Sequence, residues 1–248
     1  MTSLYTMLSV IFVSLLSLIG AALVTIQRKN LNTIITYALA VSSGVMLGAT
    51  FFDLLPESIA LLPEAAFTWV LVGFVSFFAL EKLISWHHHV EGRHIHEEKP
   101  FAYLTLIGDG IHNFVDGAVI AGAYLVSVPL GVTTTLAVIA HEIPHELSDF
   151  MILLHGGFSN RKALIYNFMS AATAIVGAGL VLLISEQFSV LEKYLIPVAA
   201  GNFLYIVASD LIPELLTKRK GSESVWQLVL LICGLLIIPL VSRLFGSI

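Results

Sequence analysis

The chain has 248 residues, of which 57% are hydrophobic and only 12% are charged, and its formal net charge is −5. Ordinary soluble domains contain about 25% charged residues, so this composition excludes a typical soluble protein and predicts an integral membrane protein. The small, dispersed net charge gives no reason to expect nucleic acid as a partner.

Apolar stretches of about 20 residues, long enough to cross a bilayer as helices, recur eight times along the chain. The predicted spans are 4–26, 33–55, 66–86, 100–124, 131–155, 161–185, 194–216 and 225–245. Little sequence remains between them. We therefore expect an all-α integral membrane protein with eight transmembrane helices, forming a single domain over residues 1–248.

The basic residues predict how these spans are oriented. Ten of the twelve Lys and Arg residues lie in or beside the loops after spans 1, 3, 5 and 7, and only Lys193 and Arg243 fall on the other side. Lys and Arg residues are enriched in the cytoplasmic loops of membrane proteins. Both termini are therefore predicted to lie outside, with loop 87–99 in the cytoplasm.

Spans 2 and 7 share a sequence pattern. Gly44 precedes Asp53 by nine residues, and Gly201 precedes Asp210 by the same distance; each aspartate opens an Asp-x-x-Pro-Glu segment. The two spans run in opposite directions under the orientation above. This predicts a 3+2+3 inverted-repeat arrangement, in which spans 1–3 recur as spans 6–8 around a central pair. Chance is the alternative, because acids beside proline also mark helix ends.

Polar motifs interrupt the central pair near the expected bilayer midplane. Span 4 contains His-Asn-Phe-Val-Asp, and span 5 contains His-Glu-Ile-Pro-His-Glu. A charge at the centre of a membrane helix costs at least about 2.5 kcal/mol, and these groups are ligands for divalent transition metals. The predicted metal ligands are His112, Asn113, Asp116, His141, Glu142, His145 and Glu146.

Structural polar contacts between helices are the alternative for this set. Glu146 and three further residues, Asp109, Asp149 and Asn202, are expected either to support the ligands or to make such contacts. Pro144 is expected to kink span 5 and to free a backbone carbonyl toward the same cavity.

Two further groups of residues fit a path for a cation. Asp53 and Glu57 are predicted at the outer end of span 2, and Asp210 and Glu214 at the inner end of span 7. They are interpreted as stations of a transport pathway, with helix capping as the alternative. The cytoplasmic loop adds an accessory histidine tract that either binds metal or is a solvated loop. Its histidines are His87, His88, His89, His94 and His96.

The motifs of spans 4, 5 and 7 resemble those of the ZIP (Zrt-, Irt-like protein) divalent metal transporters, and most closely the subfamily with His-Glu-x-Pro-His-Glu in the fifth helix. The resemblance covers the whole chain. It implies uptake of zinc, or of iron, manganese or cadmium, into the cytoplasm, usually by a homodimer in the lipid bilayer. Zn²⁺, Fe²⁺, Cd²⁺ or Mn²⁺ would be the transported substrate, and no cofactor is expected. The compact chain suggests a prokaryotic inner membrane.

The resemblance also implies two sets of ligands. The first metal would be held by His112, Asp116, His141 and His145. The second would use Asn113, Asp116 and Glu142, with or without His145. Span 6 lacks the glutamate that some relatives use for the second ion, which leaves open whether one ion or two bind.

A membrane enzyme is the rival interpretation. The segment from His141 to His145 also satisfies His-Glu-x-x-His, which on a helix binds zinc with the glutamate as the general base of a metalloprotease. The companion motif in span 4 and the acids at opposite membrane faces have no purpose in proteolysis. We therefore expect a transporter and not an enzyme, with an intramembrane metalloprotease or another membrane hydrolase as the alternative.

Overall fold

The structure is a computed structural model that describes residues 2–19, 28–87, 100–185, 191–217 and 222–244. Secondary structure in these ranges is entirely helical, which confirms the all-α prediction. The helices are α1 (Thr2–Leu16), α2 (Arg28–Gly48), α3 (Leu55–Leu61), α4 (Ala66–His87), α5 (Pro100–Val126), α6 (Val128–His155), α7 (Asn160–Ala171), α8 (Thr173–Ser185), α9 (Leu191–Ile206), α10 (Ile212–Thr217) and α11 (Ser222–Leu244).

Several of these helices have the length and composition of membrane spans. Among the described residues, five segments qualify, and α4 adds a shorter apolar stretch, Ala66–Leu80. The five are Thr2–Ile19, Ile35–Leu61, Asn160–Ser185, Lys193–Leu216 and Ser224–Leu244. Helices α5 and α6 are long enough, at 27 and 28 residues, but they carry the polar motifs. The protein is thus an all-α multi-pass membrane protein, while the count of eight spans, their sidedness and the single domain stay predictions.

The two Asp-x-x-Pro-Glu segments adopt the same uncommon backbone. A π-helical turn, Ala49–Leu54, joins α2 to α3 and contains Asp53. A second π-helical turn, Val207–Leu211, joins α9 to α10 and contains Asp210. In each segment a proline follows the aspartate by three residues and has no N–H to donate. A locally widened turn is one way in which a helix accommodates such a break.

Glycines bring the helices on either side of these turns into close contact. A Cβ added at Gly44 in α2 would lie 2.0 Å from the carbonyl oxygen of Leu231 and 2.7 Å from the nitrogen of Leu235, both in α11. Such distances show that the two backbones touch directly, which a residue larger than glycine would prevent.

The same contact recurs in the other half of the chain. A Cβ at Gly201 in α9 would lie 2.0 Å from the carbonyl oxygen of Val70 and 2.7 Å from the nitrogen of Phe74, both in α4. The partner helices also contribute glycines: Gly234 faces the carbonyl of Val41, and Gly73 faces that of Val198.

The glycine contacts of the two halves correspond to each other under the predicted repeat. If spans 1–3 are mapped onto spans 6–8, α2 corresponds to α9 and α4 corresponds to α11. The contact of α2 with α11 then corresponds to the contact of α9 with α4. The contacts therefore support the predicted repeat. Helices α5 and α6 pack on each other between these pairs, with α8 against α5 and both α1 and α2 against α6.

Candidate metal centre

Helices α5 and α6 form a tight hairpin that sets the register of the central motifs. Ser127 joins them alone, in an extended conformation, and its side-chain oxygen accepts a hydrogen bond from the backbone N–H of Leu130. His112 and His141 lie at nearly equal distances along the chain from this joint. With a rise of 1.5 Å per residue, both lie about 22 Å from the hairpin end, so they face each other.

Four side chains of the hairpin converge into one buried group, named here the central cluster: His112, Asp116, His141 and Glu142. They offer ligand atoms that all lie within 4.8 Å of one another. The two Nε2 atoms of His112 and His141 are 3.1 Å apart. An oxygen of Asp116 lies 3.6 and 3.0 Å from these two nitrogens. An oxygen of Glu142 lies 3.4 and 3.2 Å from them.

These separations match the edges of a metal coordination shell. Zinc binds imidazole nitrogen and carboxylate oxygen at about 2.0–2.1 Å in tetrahedral geometry, so neighbouring ligand atoms should lie about 3.3 Å apart. The five distances of 3.0–3.6 Å scatter around that value. Two imidazoles and two carboxylates form a complete set of four ligands for one divalent transition metal.

The surroundings of His141 fix which of its two nitrogens can bind metal. Nδ1 of His141 lies 3.1 Å from the carbonyl oxygen of Ala137. This contact places the ring proton on Nδ1 and leaves Nε2 as the ligand atom. The ring of His112 packs edge-on against Phe77, with 5.4 Å between centroids, and the ring of His141 packs against Phe203 at 6.0 Å. Neither aromatic contact has a local signal in the sequence.

His145 lies outside the central cluster, which differs from the first ligand set that the family resemblance implies. Its Nδ1 is 3.6 Å from an oxygen of Asp109 and 3.4 Å from an oxygen of Asp149. These three residues form a second group of neighbouring ligand atoms. The ring of His145 stacks on that of His112, with 5.0 Å between centroids and 8° between planes. In the central cluster, Glu142 lies beside His141, where the family resemblance implies His145.

Asn113 and Glu146 have other partners. The side-chain amide of Asn113 donates to Asp109 Oδ1 at 2.8 Å, and Glu146 accepts a hydrogen bond from the amide of Asn167. Both residues are buried, as is Asn202. Within the described ranges, Oδ1 of Asn113, Oε1 of Glu146 and Oδ1 of Asn202 have no hydrogen-bond partner. The site roles predicted for Asn113 and Glu146 therefore stay predictions.

Pro144 lies inside α6, which continues as a helix from Val128 to His155. The missing N–H of Pro144 frees the carbonyl of Ala140. The hydroxyl of Ser42, in α2, donates a hydrogen bond to that carbonyl. The freed group thus ties α6 to α2, where the sequence had suggested that it would face the metal cavity.

The predicted pathway residues differ in exposure. Asp53 is half-buried and accepts hydrogen bonds from the hydroxyl of Ser242 at 3.0 and 3.2 Å. Glu57 is half-buried, whereas Asp210 and Glu214 are exposed. The acids at the two ends are therefore in different environments.

A cavity of about 250 Å³ connects Asp210, one of the predicted pathway residues, to the central cluster. Asp210 lines it together with Asp109, His112, His145 and Asp149. One imidazole of the central cluster and all three residues of the second group therefore face the same space.

The histidine tract falls almost entirely beyond the described ranges. His87 is the last residue of α4. His88, His89, His94 and His96 lie outside the described residues. Their role as an accessory metal-binding loop stays a prediction.

Known protein families include one that matches this chain. A model of the ZIP zinc transporter family matches residues 2–99 and 86–242. The chain belongs to the ZIP zinc transporter family. The predicted family resemblance is thereby confirmed, while the narrower subfamily assignment stays a prediction.

Individual ZIP proteins show how far the similarity extends. Zinc transporter ZIP13 of Pongo abelii is 32% identical over 229 residues, covering 86% of this chain and 67% of that protein. Metal cation symporter ZIP14 of Bos taurus is 38% identical over 158 residues, covering 62% of this chain and 32% of that protein. Zinc transporter ZIP10 of Homo sapiens is 36% identical over 140 residues, with 54% and 17% covered. The chain thus spans about two thirds of ZIP13 and a third or less of the other two.

Membership of the ZIP family decides between the two classes that the sequence left open. ZIP proteins are metal transporters and not enzymes, and their metal ion is the substrate. The three ZIP proteins named above come from animals. The prediction of a prokaryotic inner membrane therefore has no support, because it rested only on the short length of the chain.

Proposed function

We propose that this ZIP protein carries divalent transition metal, zinc foremost, across a membrane into the cytoplasm through the central cluster. The observation that supports this most strongly is the gathering of His112, Asp116, His141 and Glu142 on one buried hairpin. Four such groups are costly in a membrane helix unless they bind a cation. Iron, manganese and cadmium fit the same ligand types.

The path of the ion follows from the series of acids. Metal from outside meets Asp53 and Glu57, binds at the central cluster, and leaves past Asp210 and Glu214. The 250 Å³ cavity supports the inner half of this path, because it contains both Asp210 and His112. An inside-negative potential favours inward movement of a divalent ion by about 4.6 kcal/mol per 100 mV.

The hairpin is the natural moving unit. Since α5 and α6 are joined by Ser127 alone, they shift together, and the glycine-packed pairs on either side serve as the frame. Rocking or sliding of the hairpin against the frame would expose the central cluster to each side in turn. We further propose that the protein works as a homodimer in the bilayer.

The geometry disfavours the metalloprotease alternative. A catalytic His-Glu-x-x-His helix binds one zinc ion with both histidines and keeps the glutamate free as a base. Here His145 lies with Asp109 and Asp149, apart from His141. The Glu142 carboxylate is 3.2 Å from Nε2 of His141, in a ligand position.

Flux of radiolabelled zinc into liposomes of the purified protein, under an imposed potential, tests the proposal. Wild type should show saturable uptake, and His141→Ala should abolish it because it removes one of four ligands. His155→Ala is the matched control, since His155 is the exposed last residue of the same helix and its loss should leave uptake unchanged. Undiminished flux through His141→Ala would refute the assigned path.

A further inference from the structure

A second group of ligand atoms lies beside the central cluster. Asp109 in α5 and His145 and Asp149 in α6 place one ligand atom each within 4.8 Å of one another. The two aspartates are 3% and 6% exposed. This combination of one imidazole and two carboxylates is a common donor set for zinc and related ions.

Two atoms of this group lack hydrogen bonds. Within the part of the chain that the structure describes, Nδ1 of His145 and Oδ2 of Asp149 are buried without a hydrogen-bond partner. They lie 3.4 Å apart, beyond the usual hydrogen-bond range of 2.7–3.2 Å. A buried polar atom left unsatisfied costs about 1–3 kcal/mol. A cation held between them would satisfy both, at the spacing expected for neighbouring ligands.

The third ligand is held in position by its neighbours. Asp109 accepts hydrogen bonds from the amide of Asn113, at 2.8 Å, and from the hydroxyl of Ser170 in α7. Outer hydrogen bonds of this kind orient metal ligands and are typical of protein metal sites. They also give a physical purpose to Asn113, whose amide supports Asp109.

This group breaks the symmetry of the hairpin. The motifs of α5 and α6 correspond at a spacing of 29 residues, which pairs His112 with His141. At that spacing, Asp149 corresponds to Ile120, and Asp109 corresponds to Val138; both of these are buried and apolar. The group therefore exists on one side of the central cluster only. That side is the one where the cavity reaches Asp210.

We propose that Asp109, His145 and Asp149 form a second divalent-metal site, separate from the central cluster and facing the cavity. Three protein ligands leave a fourth position for water, which is the arrangement of an exchangeable ion and not of a closed structural site. The stacked rings of His112 and His145 place the two sites side by side. The role of the second site in passing metal toward Asp210 rests on the proposed transport function. The binding of metal at the second site does not.

Zinc stoichiometry of the purified full-length protein tests the second site. In a background whose accessory histidine tract is changed to alanine, isothermal titration with Zn²⁺, with metal analysis after gel filtration, should give about two equivalents when both sites are wild type. Asp149→Asn keeps the shape of the side chain and should lose one equivalent. His141→Ala should lose the other. Glu64→Gln is the matched acid-to-amide control at an exposed position and should keep both.

Other results would overturn the proposal. Wild type that binds a single equivalent, or Asp149→Asn that still binds two, removes the second site. Loss of both equivalents in each variant would show one coupled centre in place of two sites. His145→Gln, which changes a cavity-lining residue, should also lose one equivalent and replaces Asp149→Asn if that variant does not fold.

Zinc stoichiometry and zinc flux, measured together, separate this inference from the proposed function. Saturable zinc flux in liposomes, together with a single bound equivalent, leaves the transport proposal intact and rejects the second site. Two bound equivalents without flux under any gradient would do the opposite.

Discussion

Asp53 and Asp210 hold equivalent positions in two segments with matching π-helical turns and glycine contacts. Their surroundings nevertheless differ. Asp53 is half-buried and bonded to Ser242, whereas Asp210 is exposed and shares a cavity with His145. Similar backbones in the two halves therefore do not impose similar side-chain environments. A carrier with one side of its site open is expected to differ between its halves in this way.

The largest effect is expected from substitutions at the glycine contacts that the two halves share. Gly44→Ala and Gly201→Ala each place a Cβ 2.0 Å from a carbonyl oxygen of the facing helix. Both should destabilise the fold, each by about 1–3 kcal/mol, because the helices must move apart. Thermal unfolding in detergent measures this.

A matched control is available in the same chain. Gly179 has no atom within 4 Å of an added Cβ among the described residues, so Gly179→Ala should unfold at the wild-type temperature or slightly above it. Strong destabilisation by one of the two test variants and none by the other would show that the halves are not packed alike.

Labelling of introduced cysteines measures how accessible the positions of Asp53 and Asp210 are to water. The background should be Cys233→Ser, because Cys233 is exposed. In metal-free protein in nanodiscs, Asp210→Cys should react with a water-soluble maleimide on the order of tenfold faster than Asp53→Cys, because position 210 is exposed and position 53 is half-buried. Equal rates would mean that both ends are open to water to the same degree.

The dependence on pH separates the centre from the ends. Imidazoles ligate metal only when neutral, so protons compete with zinc at the central cluster. Zinc binding, measured by titration, should be at least about tenfold weaker at pH 5 than at pH 7. A variant with both Asp53 and Asp210 changed to Asn should keep this dependence. Tighter binding at pH 5 would contradict the assignment of His112 and His141 as ligands.

Much of the helix content could be predicted from the sequence, because membrane helices need long apolar runs. The predicted span 66–86 agrees with α4, Ala66–His87. Span 131–155 began too late, since α6 starts at Val128. Its start is set by Ser127 and by proline at the first turn, which are local capping signals and not hydropathy. The π-helical turns could not be read from apolar periodicity.

The candidate site was predictable in composition but not in grouping. His141 and His145 are four residues apart on α6, and the family resemblance implied that both hold the first metal. His112 and Asp116, also four residues apart, do meet in the central cluster, whereas His145 lies with Asp109 and Asp149. Glu142, next to His141, completes the central cluster instead. The rotation and axial register of α6 against α5 decide this, and neither is written in a local motif.

The single-residue joint at Ser127 also bears on which ions are refused. It limits how far α5 and α6 slide or spread at one end of the hairpin, and in the central cluster the ligand atoms lie 3.0–3.6 Å apart. Calcium needs six to eight oxygen ligands at about 2.3–2.6 Å, and magnesium gives up its water reluctantly. Four ligands at this spacing, two of them nitrogen, suit neither ion. We therefore expect the hairpin to discriminate against the abundant alkaline-earth cations by its stiffness as much as by its chemistry.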